Sequence, residues 1–167
     1  MKNHLKYILI IILIILFLGI ITKNFYYKNK LKFLYDNPIK MNENYNDYIY
    51  NEYNDHITIL TYEGKEKIVE IPEYINNKPV YALDDSAFYG NTHIEKVIVP
   101  SKVIRIGHQT FIGNDNLKEV ILPNEIIDIG DHAFDVCYKL EKIYVKRNST
   151  TRKTLKSSPF VKYVRIK

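Results

Sequence analysis

At 167 residues the chain has room for one ordinary domain plus a tail or anchor, not for two full domains. Its single cysteine, Cys137, excludes an intramolecular disulfide. The net charge of +5 is unevenly spread: residues 51–145 hold nine Lys/Arg against sixteen Asp/Glu, and residues 146–167 hold eight against none. A reader of DNA or RNA needs its basic face on the folded unit, so this acidic middle argues against nucleic acid as a partner.

Ile8–Ile21 is an unbroken apolar run bracketed by Lys6 and Lys23. Extended by Tyr7 and Thr22, it stays at the short end of the roughly 20 residues a spanning helix needs. Two readings compete, a membrane anchor and the apolar region of a secretory signal. A signal peptidase site wants small residues one and three before the cut, and Phe17/Gly19 and Ile20/Thr22 fit poorly. Residues 1–6 are therefore read as a tail and 7–22 as a transmembrane anchor or uncleaved signal. Lys23, Lys28, Lys30 and Lys32 follow the run, whereas only Lys2 and Lys6 precede it. The positive-inside rule then counts toward a cytoplasmic C-terminal domain. A short tail leading one apolar segment reads the other way, as an export signal, and that is the expectation adopted.

Residues 23–55 are polar, rich in Tyr and Asn, and without a sustained period. They are expected to form a linker, with Lys28–Tyr35 able to continue the helix and Asp36–Asp55 a weakly ordered spacer. The folded domain is expected over residues 56–167. Ile57–Tyr62 and Lys67–Ile71, joined through Glu63-Gly64, predict a hairpin. With the Asn-Asn turn inside Tyr74–Pro79, residues 57–79 read as the cap of a stack.

From residue 80 to about 145 the chain repeats. Phe88, Phe111 and Phe134 lie 23 residues apart, as do Leu83, Ile106 and Ile129. Ile94, Leu117 and Leu140 are followed at +3 by Val97, Val120 and Ile143, and at +5 by Val99, Leu122 and Val145. That spacing is the strand signature of a leucine-rich repeat, with three apolar positions facing the core. Pro100 and Pro123 end the strands where no ladder donor is needed. A turn on Gly107 and Gly130, then a short helical turn, is expected to bring each phenylalanine inward. Asn91, Asn114 and Cys137 share the next corner, which makes Cys137 structural rather than a catalytic thiol. Residues 146–167 read as a basic C-terminal cap, a loop or short helix followed by a last strand at Val161–Ile166.

The phrases VIVPSKVIRIGHQTF and VILPNEIIDIGDHAF closely resemble the 23-residue leucine-rich repeats of the BspA-like type, known from bacterial and some protozoan surface proteins. VEIPEYINNKPVYALDDSAF resembles the N-terminal unit of such arrays. The resemblance covers about residues 57–166 and implies an array used in adhesion or protein binding. The fold class is then a mainly β solenoid, a short leucine-rich-repeat array with small helical turns, plus an N-terminal transmembrane helix.

Residues between the inward positions face outward and stack into rows. One row reads Lys67, Glu95, Lys118, Glu141, Lys162, and a second reads Ile68, Lys96, Glu119, Lys142, Tyr163. Their alternating charges suit register and solubility. The third row, Glu70, Ile98, Ile121, Tyr144, Arg165, is an apolar strip with charged ends and is the candidate binding site. His93, His108 and His132 lack the spacing of a metal pair, and there is no phosphate-binding glycine loop and no nucleophile elbow. The expectation is a non-catalytic, single-pass membrane protein without cofactor or metal, whose repeat domain outside the cell binds a protein or surface ligand. The alternative is an accessory membrane subunit with a cytoplasmic repeat domain.

Overall fold

The structure, a computed structural model, describes residues 2–35, 37–156 and 159–166. It divides into two compact units, Met1–Asp36 and Asn37–Lys167. The first is helix α1, Lys2–Lys32, closed by a 3₁₀ turn at Phe33–Tyr35. As the lysine-rich stretch allowed, the helix runs past the apolar segment without a break.

The second unit begins earlier than the pattern of apolar residues suggests. β1 (Lys40–Tyr45) and β2 (Tyr48–Glu52) form an antiparallel hairpin, and β2 pairs with β3 (Ile57–Tyr62). The stretch expected as a spacer is therefore part of the cap. Its alternating tyrosines are the buried side of β2, where Tyr48, Tyr50 and Glu52 face inward. Asn46, in a left-handed conformation that Asn tolerates, lies in the turn.

β3 does not pair with β4 (Ile68–Glu70), so the expected hairpin is absent. β3 lies parallel to β6 (Lys78–Leu83), whereas β4 lies parallel to β7 (Lys96–Ile98). The Glu63-Gly64 stretch crosses between sheets instead of reversing within one. β5 (Tyr74–Ile75) turns into β6 through Asn76 and Asn77, both left-handed, as a tight hairpin requires.

The repeats wind between two sheets. One contains β1-β2-β3-β6-β8-β10, with β8 at Arg105–Ile106 and β10 at Asp128–Ile129. The other is all parallel, β4-β7-β9-β11-β12, with β9 at Glu119–Ile121, β11 at Lys142–Val145 and β12 at Val164–Ile166. Beyond these strands Val99 N–H still donates to Ile121 O at 3.0 Å, and Leu122 to Tyr144 O at 3.0 Å. Proline then ends the ladder, as expected.

The segments carrying the phenylalanines are turns rather than helix. Ser86, Gln109 and His132, each two residues before a phenylalanine, are left-handed with φ of 60°, 54° and 61°. That conformation interrupts a right-handed helix, so the freed N–H groups bond along the stack instead. Phe88 donates to Thr110 O and Phe111 to Ala133 O, both at 2.8 Å. Gly107 and Gly130 sit where coils nearly touch. A Cβ on Gly107 would lie 2.6 Å from the Asp84 carbonyl carbon, and one on Gly130 2.6 Å from that of Gly107.

Phe88, Phe111 and Phe134 form the expected buried spine, with ring centroids 5.1 and 5.3 Å apart. Tyr62 stacks on Phe88 at 5.2 Å and Phe160 meets Phe134 edge-on at 5.2 Å, so the spine has five rings. The terminal coil is closed by α2 (Thr150–Leu155), N-capped by Ser149, and by a 3₁₀ turn at Pro159–Tyr163.

Candidate binding face

The parallel sheet builds the outward rows from strands only three or four residues long. In β7, β9 and β11 the central valine or isoleucine is buried and its neighbours point out half-exposed. Parallel pairing without a register shift places Glu70 beside Ile98, Ile98 beside Ile121, Ile121 beside Tyr144 and Tyr144 beside Arg165. With rungs about 4.8 Å apart, the row spans roughly 19 Å. All five residues predicted for the strip are therefore brought together in the predicted order. Ile98, Ile121 and Tyr144 are half-buried, and Glu70 and Arg165 are exposed.

Two features differ from the sequence pattern. Ile68 on β4 is 59% exposed, with Lys96 beside it on β7 and Glu70 two residues along its own strand. Its place in a charged row hid it. Lys162 and Tyr163, expected as the last rung of the charged rows, lie in the 3₁₀ turn, where the ammonium sits 4.9 Å above the ring centroid. The Arg165 guanidinium bends back onto the Lys162 and Val164 carbonyls at 3.2 and 3.0 Å.

The two outward rows on the N-terminal side of the strip are ladders of ion pairs. Glu119 lies 3.6 Å from both Lys96 and Lys142, and Glu95 lies 3.0 Å from Lys67 and 2.7 Å from Lys118. The bond from Lys118, and then that from Lys67, hold the Glu95 carboxyl down at about 2. Such exposed pairs set register more than they add stability.

Other polar groups are occupied by the scaffold. Arg105 holds Asp85 at 2.8 Å, Asp84 at 3.3 Å and Asp128 at 3.4 Å. Asp84 and Asp85 thus brace adjacent coils through this guanidinium. Asn91 donates to Gly64 O, Asn114 to Phe88 O, and the Cys137 thiol to Phe111 O at 3.0 Å. Cys137 thus takes the place of an asparagine in a corner ladder, and burial pushes its thiol up to about 12. His132 bonds Asp135 at 2.6 Å, which raises its pKa. Among the described residues no group of three or more His, Cys, Asp or Glu is placed to hold a metal.

A family model for the BspA type leucine rich repeat region, in six copies, matches residues 81–163. Among solved structures, a leucine rich repeat protein of T. pallidum is 32% identical with a TM-score of 0.60. That match covers 66% of this chain and 52% of the other, so the chain spans about half of that relative. A leucine-rich repeat protein from Bacteroides capillosus shares the fold at 23% identity and a TM-score of 0.62, over 75% of this chain and 93% of the other. A leucine rich cell surface protein from Faecalibacterium prausnitzii does so at 23% and 0.53, over 63% of this chain and 33% of the other. Among curated proteins none matches. The 23-residue coils, their phenylalanine spine and these likenesses agree on one conclusion: the chain is a leucine-rich repeat protein, and its repeats are of the BspA type.

Proposed function

We propose that the chain is a single-pass membrane protein whose repeat domain stands outside the cell. There it binds a protein or surface ligand through the row Glu70, Ile98, Ile121, Tyr144 and Arg165. The observation that carries this reading is the apolar strip itself. Three half-buried apolar side chains occupy adjacent rungs of a regular sheet, beside ladders of compensated charge on their N-terminal side. Contact surfaces favour an apolar centre with a polar rim, and Tyr is enriched at such centres. The domain acts without catalysis, cofactor or metal, and takes no nucleic acid. The protonated state of Cys137 at neutral pH and the ion-paired state of Arg105 support a structural role for both.

Tethering rests on α1. It is long and apolar enough, by length and composition, to cross a bilayer. At about 1.5 Å per residue its 31 residues exceed a hydrocarbon core of about 30 Å. The surplus turns carry Lys23, Lys28, Lys30 and Lys32, with Lys23 over Tyr27 and Lys30 over Tyr26 at 5.6 and 5.8 Å. Those same lysines favour the second reading, an accessory membrane subunit with a cytoplasmic repeat domain.

Ile121→Glu, compared with the unaltered full chain by proximity labelling, tests the site. Loss of captured partners with thermal stability retained is expected, and unchanged capture sinks the assignment. Protease added to intact cells tests the side of the membrane. Digestion of the repeats before lysis is expected, and survival until lysis moves the domain to the cytoplasm.

A further inference from the structure

The repeat region is acidic, yet four of the nine Lys/Arg residues in 51–145 converge on one concavity. It lies at the corner leading into β4, β7 and β9, encloses about 420 Å³, and is lined by Lys65, Lys67, Lys118 and Lys139 together with His93 and Asn116. Only one carboxylate enters this lining, that of Glu95, and it serves both Lys67 and Lys118. Lys139 rests instead on a neutral acceptor, Asn116 Oδ1 at 2.7 Å, whose amide donates in turn to Thr92 O at 2.7 Å. The concavity therefore keeps an excess of positive charge. The other cations of the region are largely spent: Lys78 on Glu52, Lys96 and Lys142 on Glu119, and Arg105 on three aspartates.

We propose that this concavity binds an acidic polysaccharide, one carrying carboxylate or sulfate groups along its length. A concave cluster of one sign focuses its field and gathers opposite charge. Lysines, as point charges on flexible stems, take carboxylate or sulfate without demanding the planar fork geometry that arginine provides. Among the described residues no aliphatic side chain and no Phe or Tyr lines the concavity. That is unlike the centre of a protein contact, which relies on buried aromatic anchors. The amides and hydroxyls of Asn116 and Thr92 suit sugar hydroxyls instead. The coil repeat adds reach, since His93, Asn116 and Lys139 recur at 23-residue spacing and face a chain lying along the stack.

The test is calorimetric titration of the full chain in detergent with heparin, polygalacturonate, neutral dextran and poly-L-glutamate. Heparin or polygalacturonate is expected to bind, more weakly as salt rises, and dextran not to bind. In Lys65→Ser/Lys139→Ser, which removes no carboxylate pair, binding falls roughly tenfold or more. Lys139→Gln alone gives a smaller fall in the same direction should the double variant fold poorly. Ile121→Glu leaves binding unchanged, which separates this surface from the apolar strip. Lys153→Ser/Lys156→Ser, on the basic C-terminal cap, also leaves it unchanged. Absence of binding to both acidic polysaccharides overturns the proposal, as does equal binding of poly-L-glutamate or loss only in the cap variant.

Discussion

The coils from Ile94 to Val145 and those from Lys40 to Leu83 close one continuous core by different means. In the repeats, equivalent positions carry equivalent side chains, and each coil adds the same inward set: Val97 on Val120 on Ile143, Phe88 on Phe111 on Phe134. The cap joins that set only at its inner edge, where Val69 pairs with Val97 and Leu83 with Ile106. The closure there is a specific polar network around Glu52, which is only 6% exposed. Its carboxylate takes Lys78 Nζ at 2.8 Å and Asn76 Nδ2 at 3.2 Å, while Lys78 also donates to Tyr53 O at 2.6 Å. Asn76 reaches the Tyr50 hydroxyl as well, at 2.9 Å. One device is additive and tolerant of extension; the other is made once and ties the β1–β2 hairpin to the β5–β6 turn.

Breaking the repeated device should cost most. Phe111 is fully buried between two rings, and Phe111→Ala is expected to lower stability by about 3–5 kcal/mol, read by urea unfolding. For so short a stack that is a severe loss. Retention of most of the stability would mean that neighbouring coils collapse into the gap and that the spine does not set their spacing. Breaking the cap should cost less. Glu52→Ala removes the shared acceptor of Lys78 and Asn76, at about 2 kcal/mol, and loosens the hairpin. Hydrogen exchange would then rise in residues 40–52 before it rises in the repeats; uniform exchange would deny the cap its separate character.

Two smaller effects sharpen the contrast. Val136 occupies the corner position held by Gly90 and Gly113, and all three are left-handed, with φ of 57°, 64° and 73°. A β-branched residue is strained there, so Val136→Gly should stabilise the array by about 1 kcal/mol in the same assay, opposite in sign to a glycine change elsewhere in a coil. The smallest effect is the response to acid. The hydrogen bond from Lys78 lowers the Glu52 pKa, and Lys118 and Lys67 lower that of Glu95. A depressed folded-state value means that the stability contributed is fully present above the unfolded value near 4.5. It is lost as pH falls through the folded value, which for Glu95 is about 2. Glu52→Gln should flatten the fall in stability below pH 4.5 more than Glu95→Gln does, because the exposed Glu95 pairs are screened by solvent and salt. Equal slopes would place the acid sensitivity outside the cap.

The repeats were legible because a fixed 23-residue period reports packing directly: an inward position must stay apolar in every coil. The candidate strip followed from the same period, since parallel strands paired without slippage carry row order from sequence into space. The ends were less legible. Tyr62 and Phe160 extend the spine 26 residues from Phe88 and Phe134, out of step with the repeat. Tyr48 and Tyr50 alternate with polar residues, and alternation without aliphatic residues looks like a spacer until its partner strand is seen.

By itself, then, the sequence determined the unit, its register, its buried spine and the outward rows, because each depends on residues that recur at one spacing. Only the tertiary structure decided how the array is closed, that Glu63-Gly64 changes sheets instead of reversing, and that the phenylalanine segments are paired turns rather than helix. It also decided which cations gather at one place. Lys65, Lys67, Lys118 and Lys139 lie up to 74 residues apart and share no motif, and the winding of the coils alone sets them around one concavity.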